Sequence, residues 1–239
     1  MLTSIVGTNW GDEGKGRMVD LLSEDYDVVV RYQGGNNAGH TIVNEKGKFV
    51  MNLMPSGICR KDTVNILGPG IVIDLEHLYE EVQKLTEKGV EVTPDHLKIS
   101  DRATICMPYH KLLDCLEEDR LQDKKFGSTR RGISPVYADK YMKKALRMGD
   151  LLHLETLKER LEGIVEWKNL TVEQGYGHAP VATEEMYQWL KTYGEFFAPF
   201  VCNTTEYLEK AIKEGKSILF EAQLGALRDI DFGIYPYTS

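Results

Sequence analysis

The sequence predicts an α/β protein in which a mainly parallel central sheet is flanked by helices. Short runs of β-branched residues alternate along the chain with segments whose apolar residues recur at helical spacing. Two of the predicted strands end directly in glycine-rich turns, which is typical of strand–turn–helix units in parallel sheets. The 239 residues contain no internal repeat, low-complexity tract or Pro/Ser-rich linker, so we expect a single domain over residues 1–239.

The predicted strands cover residues 3–8, 28–32, 49–53, 64–67 and 217–220. The clearest predicted helix covers 75–88, because Leu75, Leu78, Val82 and Leu85 recur at helical spacing and a glycine follows. Similar patterns predict helices over 109–121, 154–167 and 206–213, and one that starts near Met18. Ligands bind at the carboxyl ends of parallel strands, which is where both glycine-rich turns are expected to lie.

The overall composition excludes several classes of protein. The chain carries 29 Lys and Arg against 37 Asp and Glu, a formal net charge of −8, which argues against a nucleic-acid partner. No stretch reaches the roughly 18 consecutive apolar residues of a membrane span, and the first residues lack the pattern of a signal peptide. The four cysteines form no CxxC pair and are interpreted as free thiols in a reducing compartment. We therefore expect a cytoplasmic globular protein with no membrane or nucleic-acid contact.

One segment departs from this acidic balance. Between Arg120 and Arg147, nine basic residues stand against two acidic ones, which gives +7 in a chain whose remainder carries −15. Such a run is either a solvated loop and helix or a phosphate-binding face. Within it, residues 127–133 place glycines and hydroxyls beside arginines, a combination that suits a monophosphate.

Residues 7–17 form the first glycine-rich turn, between a predicted strand and a predicted helix. Its glycines let backbone N–H groups approach phosphate oxygens, and Lys15 adds a mobile positive charge. It is not a Walker A sequence, because the first glycine and the final hydroxyl of that motif are missing. The acid pair Asp12 and Glu13 would repel phosphate, so it requires a role such as holding Mg²⁺ or accepting a proton. The alternative is that these acids only stabilise the start of the helix.

Residues 33–41 form the second glycine-rich turn, directly after the strand predicted at 28–32. Its three glycines and two asparagines permit left-handed backbone and a close approach to a ligand. Amide side chains can read the edge of a base or ribose, and His40 can serve as an acid or as a donor to developing negative charge. The last segment, 220–239, also follows a predicted strand, and from its composition it is either functional or a connection.

These motifs resemble those of the adenylosuccinate synthetase family. The resemblance rests on residues 11–16 and 31–41, on Pro55-Ser56-Gly57-Ile58, and on segments 127–133 and 229–236, in the family's order and approximate spacing. It implies a P-loop-NTPase-like nucleotide-binding architecture and a purine-biosynthetic ligase that joins IMP and L-aspartate, with GTP as co-substrate and Mg²⁺ as cofactor. In the family's mechanism, the 6-oxygen of IMP attacks the γ-phosphate of GTP, and the amino group of aspartate then displaces phosphate from 6-phosphoryl-IMP.

The resemblance also implies roles for individual residues. Asp12 would be the catalytic base and a metal ligand, the carbonyl of Gly39 a second metal ligand, and His40 the catalytic acid. The residues implied at GTP are Gly11, Asp12, Glu13, Gly14, Lys15, Gly16, Arg17, Gly39, His40 and Thr41. Those implied at IMP are Asp12, Glu13, Gly14, Lys15, Asn37, Ala38, Gly39, His40, Thr129, Lys143, Gln223, Thr238 and Ser239. The resemblance further suggests a homodimer in which Lys143 reaches the IMP site of the partner.

Three positions depart from the family's pattern. Lys143 stands where an arginine is common, which keeps the charge but loses bidentate geometry. Arg130 stands where the residue is often small. The glutamine that faces IMP in the family is either Gln223, with a one-residue slip, or has been replaced by Leu224.

Family members are nearly twice as long as this chain, so the parts that recognise guanine and receive aspartate would lie beyond Ser239. The hydroxyl expected at the IMP site in the last segment is Thr238 or Ser239. The leading hypothesis is therefore the N-terminal portion of such a synthetase. One alternative is a non-catalytic nucleotide-binding module or truncated regulatory homologue. Another is a phage-type synthetase acting on a guanine deoxynucleotide, which Asp12 disfavours because those enzymes carry serine there.

Overall fold

The computed structural model describes residues 1–44 and 47–238, which contain nine strands and seven α-helices joined by loops and short turns of other helix types. The strands are β1 Leu2–Gly7, β2 Val28–Gly34, β3 His40–Asn44, β4 Gly47–Met51, β5 Val64–Ile73, β6 Leu97–Ser100, β7 Thr104–Ile105, β8 Val201–Cys202 and β9 Ile218–Gly225. The α-helices are α1 Lys15–Leu22, α2 Leu75–Glu87, α3 Pro108–Leu121, α4 Ile133–Met142, α5 Leu154–Asn169, α6 Thr183–Phe197 and α7 Thr204–Lys213. None of these helices is long and apolar enough to cross a membrane.

The main sheet is parallel in every pairing that the structure describes. Its strands lie in the order β1, β9, β2, β5, β6, β8, and β7 pairs with the end of β5. This confirms the predicted α/β fold with a mainly parallel sheet. Because β9 is inserted between β1 and β2, the carboxyl ends of these three strands lie next to one another.

The central strands are buried on both faces. Val28 and Val30 of β2 pack with Ala211 of α7 on one face, while Val29 packs with Val19 of α1 on the other. A strand covered on both sides needs apolar side chains in both directions, which explains the unbroken valine run at the start of β2.

Helix α2 follows the predicted apolar pattern closely. The side chains of Leu75, Leu78, Val82 and Leu85 are at most 3 % exposed. The carboxylate of Asp74 caps the helix by accepting the backbone N–H of the third helical residue at 3.3 Å. The helices predicted at 109–121, 154–167 and 206–213 are also confirmed, within two residues at each end, as α3, α5 and α7.

Four predicted boundaries are corrected by the structure. The strands predicted at 64–67 and 217–220 continue to Ile73 and Gly225, so Gln223 lies within β9 rather than in a loop after it. Helix α1 starts at Lys15 rather than near Met18, so Lys15 lies in the first helical turn. The strand predicted at 49–53 is β4, which ends at Met51 and pairs antiparallel with β3 outside the main sheet. The strand stops there because the buried carboxylate of Glu81 accepts the backbone N–H groups of residues 52–54 at 2.6 to 3.2 Å.

Candidate functional site

A cavity of about 240 Å³ lies at the carboxyl edge of the sheet, where the loops after β1 and β2 meet the end of β9. Ten residues named from the sequence line it: Asp12, Gly14, Lys15, Gly16, Arg17, Ala38, Gly39, His40, Thr41 and Gln223. Arg31, Glu221 and Ala222 complete the wall. Residues from three distant parts of the chain therefore share one cavity, in the place where parallel α/β sheets bind ligands.

Six other predicted residues do not line this cavity: Gly11, Glu13, Asn37, Thr129, Lys143 and Thr238. Ser239 lies outside the described residues. Asn37 reaches the site indirectly, because its Oδ1 accepts the Nε2–H of Gln223 at 2.8 Å. Thr129 and Lys143 lie on the exposed surface around α4.

The two acids of the first glycine-rich loop, Asp12 and Glu13, have different surroundings. Glu13 turns back into its own loop, where its Oε1 accepts the N–H groups of Asn9 at 3.0 Å and Gly11 at 3.1 Å. Its Oε2 accepts the Nζ of Lys15 at 3.0 Å. This hydrogen bond, supported by the backbone donors, lowers the pKa of the Glu13 carboxyl to about 2. Glu13 thus organises the loop, which leaves Asp12 as the acid of the pair that lines the cavity.

Asp12 adopts a left-handed backbone conformation, with φ of 59°. Such a conformation costs a residue with a side chain about 1 kcal/mol, and residues held in it cluster at functional sites. The next residues lead directly into α1, so the first N–H groups of that helix point toward the same end of the sheet. The loop therefore joins a carboxylate, a lysine and a helix N-terminus.

Gln223 fastens β9 to the second loop. Its Oε1 accepts the N–H of Gly35 at 3.0 Å, and its Nε2 donates to the carbonyl of Gly35 at 3.1 Å. The amide passes over Gly34, where a Cβ would lie 1.1 Å from Oε1. The structure thus places Gln223 at the cavity, whereas Leu224 is not part of its wall.

His40 is held at the start of β3 by close packing against α1. A Cβ on Gly16 would lie 2.7 Å from the Cβ of His40, so the helix approaches the histidine as closely as a glycine allows. The Nε2 atom is buried and has no hydrogen-bond partner within the described residues. Burial of the ring lowers the pKa of His40, so the imidazole is neutral near pH 7.

Arg31 and Glu221 were missed as site residues. They lie opposite each other on β2 and β9, and the Arg31 guanidinium, 2 % exposed, donates to the carbonyl of Gly35 at 3.2 Å. Glu221 accepts the N–H and the hydroxyl of Ser56 at 2.9 and 2.6 Å. The available signal was a charged residue at the end of an apolar strand, since buried charges are usually paired or functional.

Several cations of the basic segment make contacts within the fold. Arg130 pairs with Asp119 at 2.6 Å, and the ammonium of Lys144 lies 5.0 Å from the centre of the Trp167 ring. Lys140 donates to the carbonyl of Pro69 at 3.3 Å, and its burial lowers its pKa. These cations are therefore committed to neighbouring groups rather than to the cavity.

Together the fold and the cavity define a parallel α/β protein with glycine-rich loops of the phosphate-binding type at the carboxyl edge of its sheet. A model of the family described as adenylosuccinate synthetase matches residues 4–239. The chain belongs to the adenylosuccinate synthetase family.

Curated relatives support this membership. The chain is 45% identical over 235 residues to an adenylosuccinate synthetase of Clostridium botulinum strain 657, covering 98% of this chain and 55% of the relative. It is 47% identical to that of Halothermothrix orenii, covering 98% and 54%, and 48% identical to adenylosuccinate synthetase 2 of Pseudoalteromonas translucida, covering 98% and 56%. The chain thus spans about half the length of the curated relatives it matches.

Solved structures share the fold. Fully ligated adenylosuccinate synthetase from Plasmodium falciparum superposes with a TM-score of 0.89 at 30% identity, covering 99% of this chain and 55% of that one. The succinoaminodeoxyadenylate synthetase of cyanophage S-2L, bound to dGMP and dATP, has a TM-score of 0.63 at 22% identity, covering 100% and 55%. The second likeness concerns the fold alone.

Proposed function

We propose that this chain forms the IMP-binding and phosphoryl-transfer portion of an adenylosuccinate synthetase. The observation that carries the proposal is the convergence of Asp12, Lys15, His40 and Gln223 on one cavity. Family membership supports the reaction, which joins IMP and L-aspartate at the expense of GTP in purine biosynthesis. Because the relatives are almost twice as long, we further propose that guanine and aspartate are recognised by parts outside these 239 residues.

Asp12 has the central chemical role in this proposal. Its carboxylate accepts the N1 proton of IMP, which makes the 6-oxygen nucleophilic. The 6-oxygen attacks the γ-phosphorus of GTP, GDP leaves with the electron pair of the broken P–O bond, and 6-phosphoryl-IMP forms. The amino nitrogen of L-aspartate then attacks C6 and gives up one proton to solvent, and phosphate leaves with the C–O electron pair to give adenylosuccinate. The protein contributes mainly positioning and charge, as in other phosphoryl transfers.

The phosphates of GTP are proposed to lie at the first loop. Lys15 and the N–H groups of Gly14 and Gly16 supply positive charge and donors at the N-terminus of α1. His40 is the proposed donor to an oxygen of the transferring phosphoryl group, since its Nε2 has no partner within the described residues.

Mg²⁺ is the proposed cofactor, held by Asp12 and by the carbonyl of Gly39. Both residues line the cavity, and a carboxylate with a carbonyl is the hard oxygen donor set that Mg²⁺ prefers. Within residues 1–44 and 47–238, no group of three or more His, Cys, Asp or Glu side chains is placed to hold a metal ion, so we propose that nucleotide phosphates supply further ligands. When bound, the ion neutralises charge on those phosphates.

The remaining proposed contacts to IMP come from the surface around α4, from the end of β9 and from the second glycine-rich loop. Thr129 is proposed to bind the 5′-phosphate, and Gln223 with Asn37 to hold the nucleoside. Lys143 ends α4 on the exposed surface, outside the cavity of its own chain. This placement supports a homodimer in which Lys143 reaches the IMP site of the partner.

The proposal is tested first by binding. Calorimetric titration of this chain with IMP should give measurable heats, and an absorbance assay with IMP, GTP, Mg²⁺ and L-aspartate reports any formation of adenylosuccinate. Binding of IMP without turnover would indicate a nucleotide-binding module. A folded chain that binds neither IMP nor GTP would contradict the proposal.

The role of Asp12 is tested by Asp12→Asn in a protein extended to the length of its relatives. The amide cannot accept the N1 proton, so turnover should be lost while the melting temperature and IMP binding persist. Asp62→Asn is the matched control, because Asp62 is exposed and lies outside the cavity. Near-normal turnover by Asp12→Asn would refute the assignment of the base.

A further inference from the structure

Asp114, which the proposed mechanism does not use, lies beneath the loop that carries Thr129. This aspartate belongs to α3 and is 6 % exposed. Its Oδ1 accepts the hydroxyl of Ser128 at 2.6 Å, and its Oδ2 accepts the backbone N–H of Gly132 at 2.8 Å. A single buried carboxylate therefore holds both ends of the 128–132 turn through charge-assisted hydrogen bonds.

The hydrogen bonds of Asp114 continue past Ser128 and enclose Thr129. The hydroxyl of Ser128, held by Asp114, in turn accepts the backbone N–H of Arg130 at 3.1 Å. Both chain neighbours of Thr129 are thus fixed, while Thr129 itself stays exposed. Thr129 is therefore exposed on a backbone that the hydrogen bonds of Asp114 and Ser128 hold on both sides.

The helix under this loop is packed into the core. Tyr109 and Leu113 anchor α3 in the core with 1 % and 8 % exposure. At the end of the loop, a Cβ on Gly132 would lie 2.8 Å from backbone atoms of the first turn of α3, so loop and helix are in direct contact. One turn beyond Asp114 on α3, the buried Glu118 accepts the N–H of Phe126 at 3.2 Å.

The negative charge of Asp114 and its hydrogen bonds have opposite effects on phosphate binding. A negative charge below a phosphate site repels the phosphate, so charge alone predicts that removal of Asp114 would tighten phosphate binding. Its hydrogen bonds predict the opposite, because a loop that must be ordered by the ligand binds more weakly than a loop that is already ordered. The two effects differ in sign and can be separated by experiment.

We infer that Asp114 is a positioning residue for the 5′-phosphate of the nucleotide, and that it acts by holding residues 128–132 in their binding conformation. The inference rests on the proposed function, in which Thr129 binds that phosphate. Asp114 touches no substrate in this role. Its effect is confined to ligands that carry the phosphate.

The test compares Asp114→Asn with the unchanged chain in calorimetric titrations with IMP and with inosine, which lacks the phosphate. We expect IMP affinity to fall about tenfold, equivalent to about 1.4 kcal/mol, with inosine affinity unchanged to within about twofold. Glu117→Gln is the matched control, because Glu117 lies on the same helix and its described hydrogen bonds are to Arg120 and Tyr176, outside the 128–132 turn. This control removes the same charge without loosening the turn and should not weaken IMP binding.

Three results would overturn the inference: unchanged IMP affinity in Asp114→Asn, tighter IMP binding, or an equal loss for IMP and inosine. If Asp114→Asn does not fold, the same titrations with Ser128→Ala test the inference. It removes the hydroxyl between Asp114 and Arg130, and it should weaken IMP but not inosine. Unchanged IMP affinity in a folded Ser128→Ala would then refute the inference.

Amide hydrogen exchange separates this inference from the proposed function. Loss of the Asp114 hydrogen bonds should speed exchange at residues 126–132 and leave exchange in β2 unchanged, whether or not IMP binds. If the unchanged chain does not bind IMP, the proposed function fails even where the exchange result holds. If IMP binds and residues 126–132 exchange at the same rate in both proteins, the inference about Asp114 fails alone.

Discussion

Replacing Gly34 with alanine disturbs the contact that joins the last strand to the second glycine-rich loop. Gly34 has a φ of +86°, and a Cβ there would lie 1.1 Å from Oε1 of Gln223. The two atoms cannot coexist, so the side chain of Gln223 has to leave. With it go its hydrogen bonds to both backbone groups of Gly35 and to Asn37.

The size of the effect follows from these contacts. A residue with a side chain costs about 1 kcal/mol more than glycine in the left-handed conformation. Three partly buried hydrogen bonds contribute about 0.5 to 1 kcal/mol each, so their loss adds about 2 kcal/mol. We therefore expect Gly34→Ala to lower the free energy of unfolding by about 3 kcal/mol, of which about two thirds comes from Gln223.

Urea unfolding of two glycine variants isolates the part due to Gln223. Gly177 also has a positive φ, +63°, but no described atom lies within 4 Å of its Cβ position. Gly177→Ala should therefore lose only about 1 kcal/mol. In a Gln223→Ala background, where a Cβ contact of 3.0 Å remains, the cost of Gly34→Ala should fall from about 3 kcal/mol towards that of Gly177→Ala. Equal losses for the two glycine variants in the unchanged background would refute the reasoning.

Two further predictions concern buried ionisable groups. Glu81→Gln should lower the free energy of unfolding by about 2 kcal/mol, since its NH₂ group would face one of the N–H groups of residues 52–54. Exposed Glu80→Gln is the control, and equal urea midpoints would contradict this prediction. Burial lowers the pKa of His110, whose Nδ1 accepts a backbone N–H and whose Nε2 lies 2.8 Å from Asp139. The neutral ring therefore contributes stability that is fully present above the unfolded pKa of about 6.5 and is lost as the pH falls below it, by up to about 1.4 kcal/mol per pH unit. Unfolding free energies measured from pH 7 to 5 should fall less steeply in His110→Gln, and an unchanged slope would count against the assignment.

The elements that the sequence predicted well are those whose structure is determined locally. The valine run at 28–30 and the apolar face of α2 each contain enough residues to show their period. Strand β3 and the short strands β6, β7 and β8 were missed. The last three contain two to four residues, which carry no period and become strands only through pairing with β5 and with each other.

Two helices were also missed for identifiable reasons. Helix α4 lies inside the basic segment and contains Pro135. Proline is tolerated in the first turn of a helix, but in a sequence pattern it indicates a helix break. Helix α6 buries Met186, Leu190, Gly194 and Phe197 at regular helical spacing, and its pattern was available in the sequence.

At the candidate site, the sequence indicated which kinds of side chain are present but not which groups each of them contacts. In the sequence, Asp12 and Glu13 are equal candidates for a chemical role. In the structure, the carboxylate of Glu13 accepts hydrogen bonds from N–H groups of its own loop and from Lys15. Which of two adjacent acids turns inward depends on the backbone conformation of the loop. The sequence alone does not contain that conformation.

The sequence by itself determined the fold class and the two glycine-rich loops, because apolar periodicity and glycine act on the backbone within a few residues. Only the tertiary structure decided which loops meet. Strand β9 is the last in the chain, yet it enters the sheet between β1 and β2 and brings Gln223 to Gly35, 188 residues away. Strand order depends on how both faces of the whole sheet are covered, so no local pattern encodes it, and the site exists only once that order is formed.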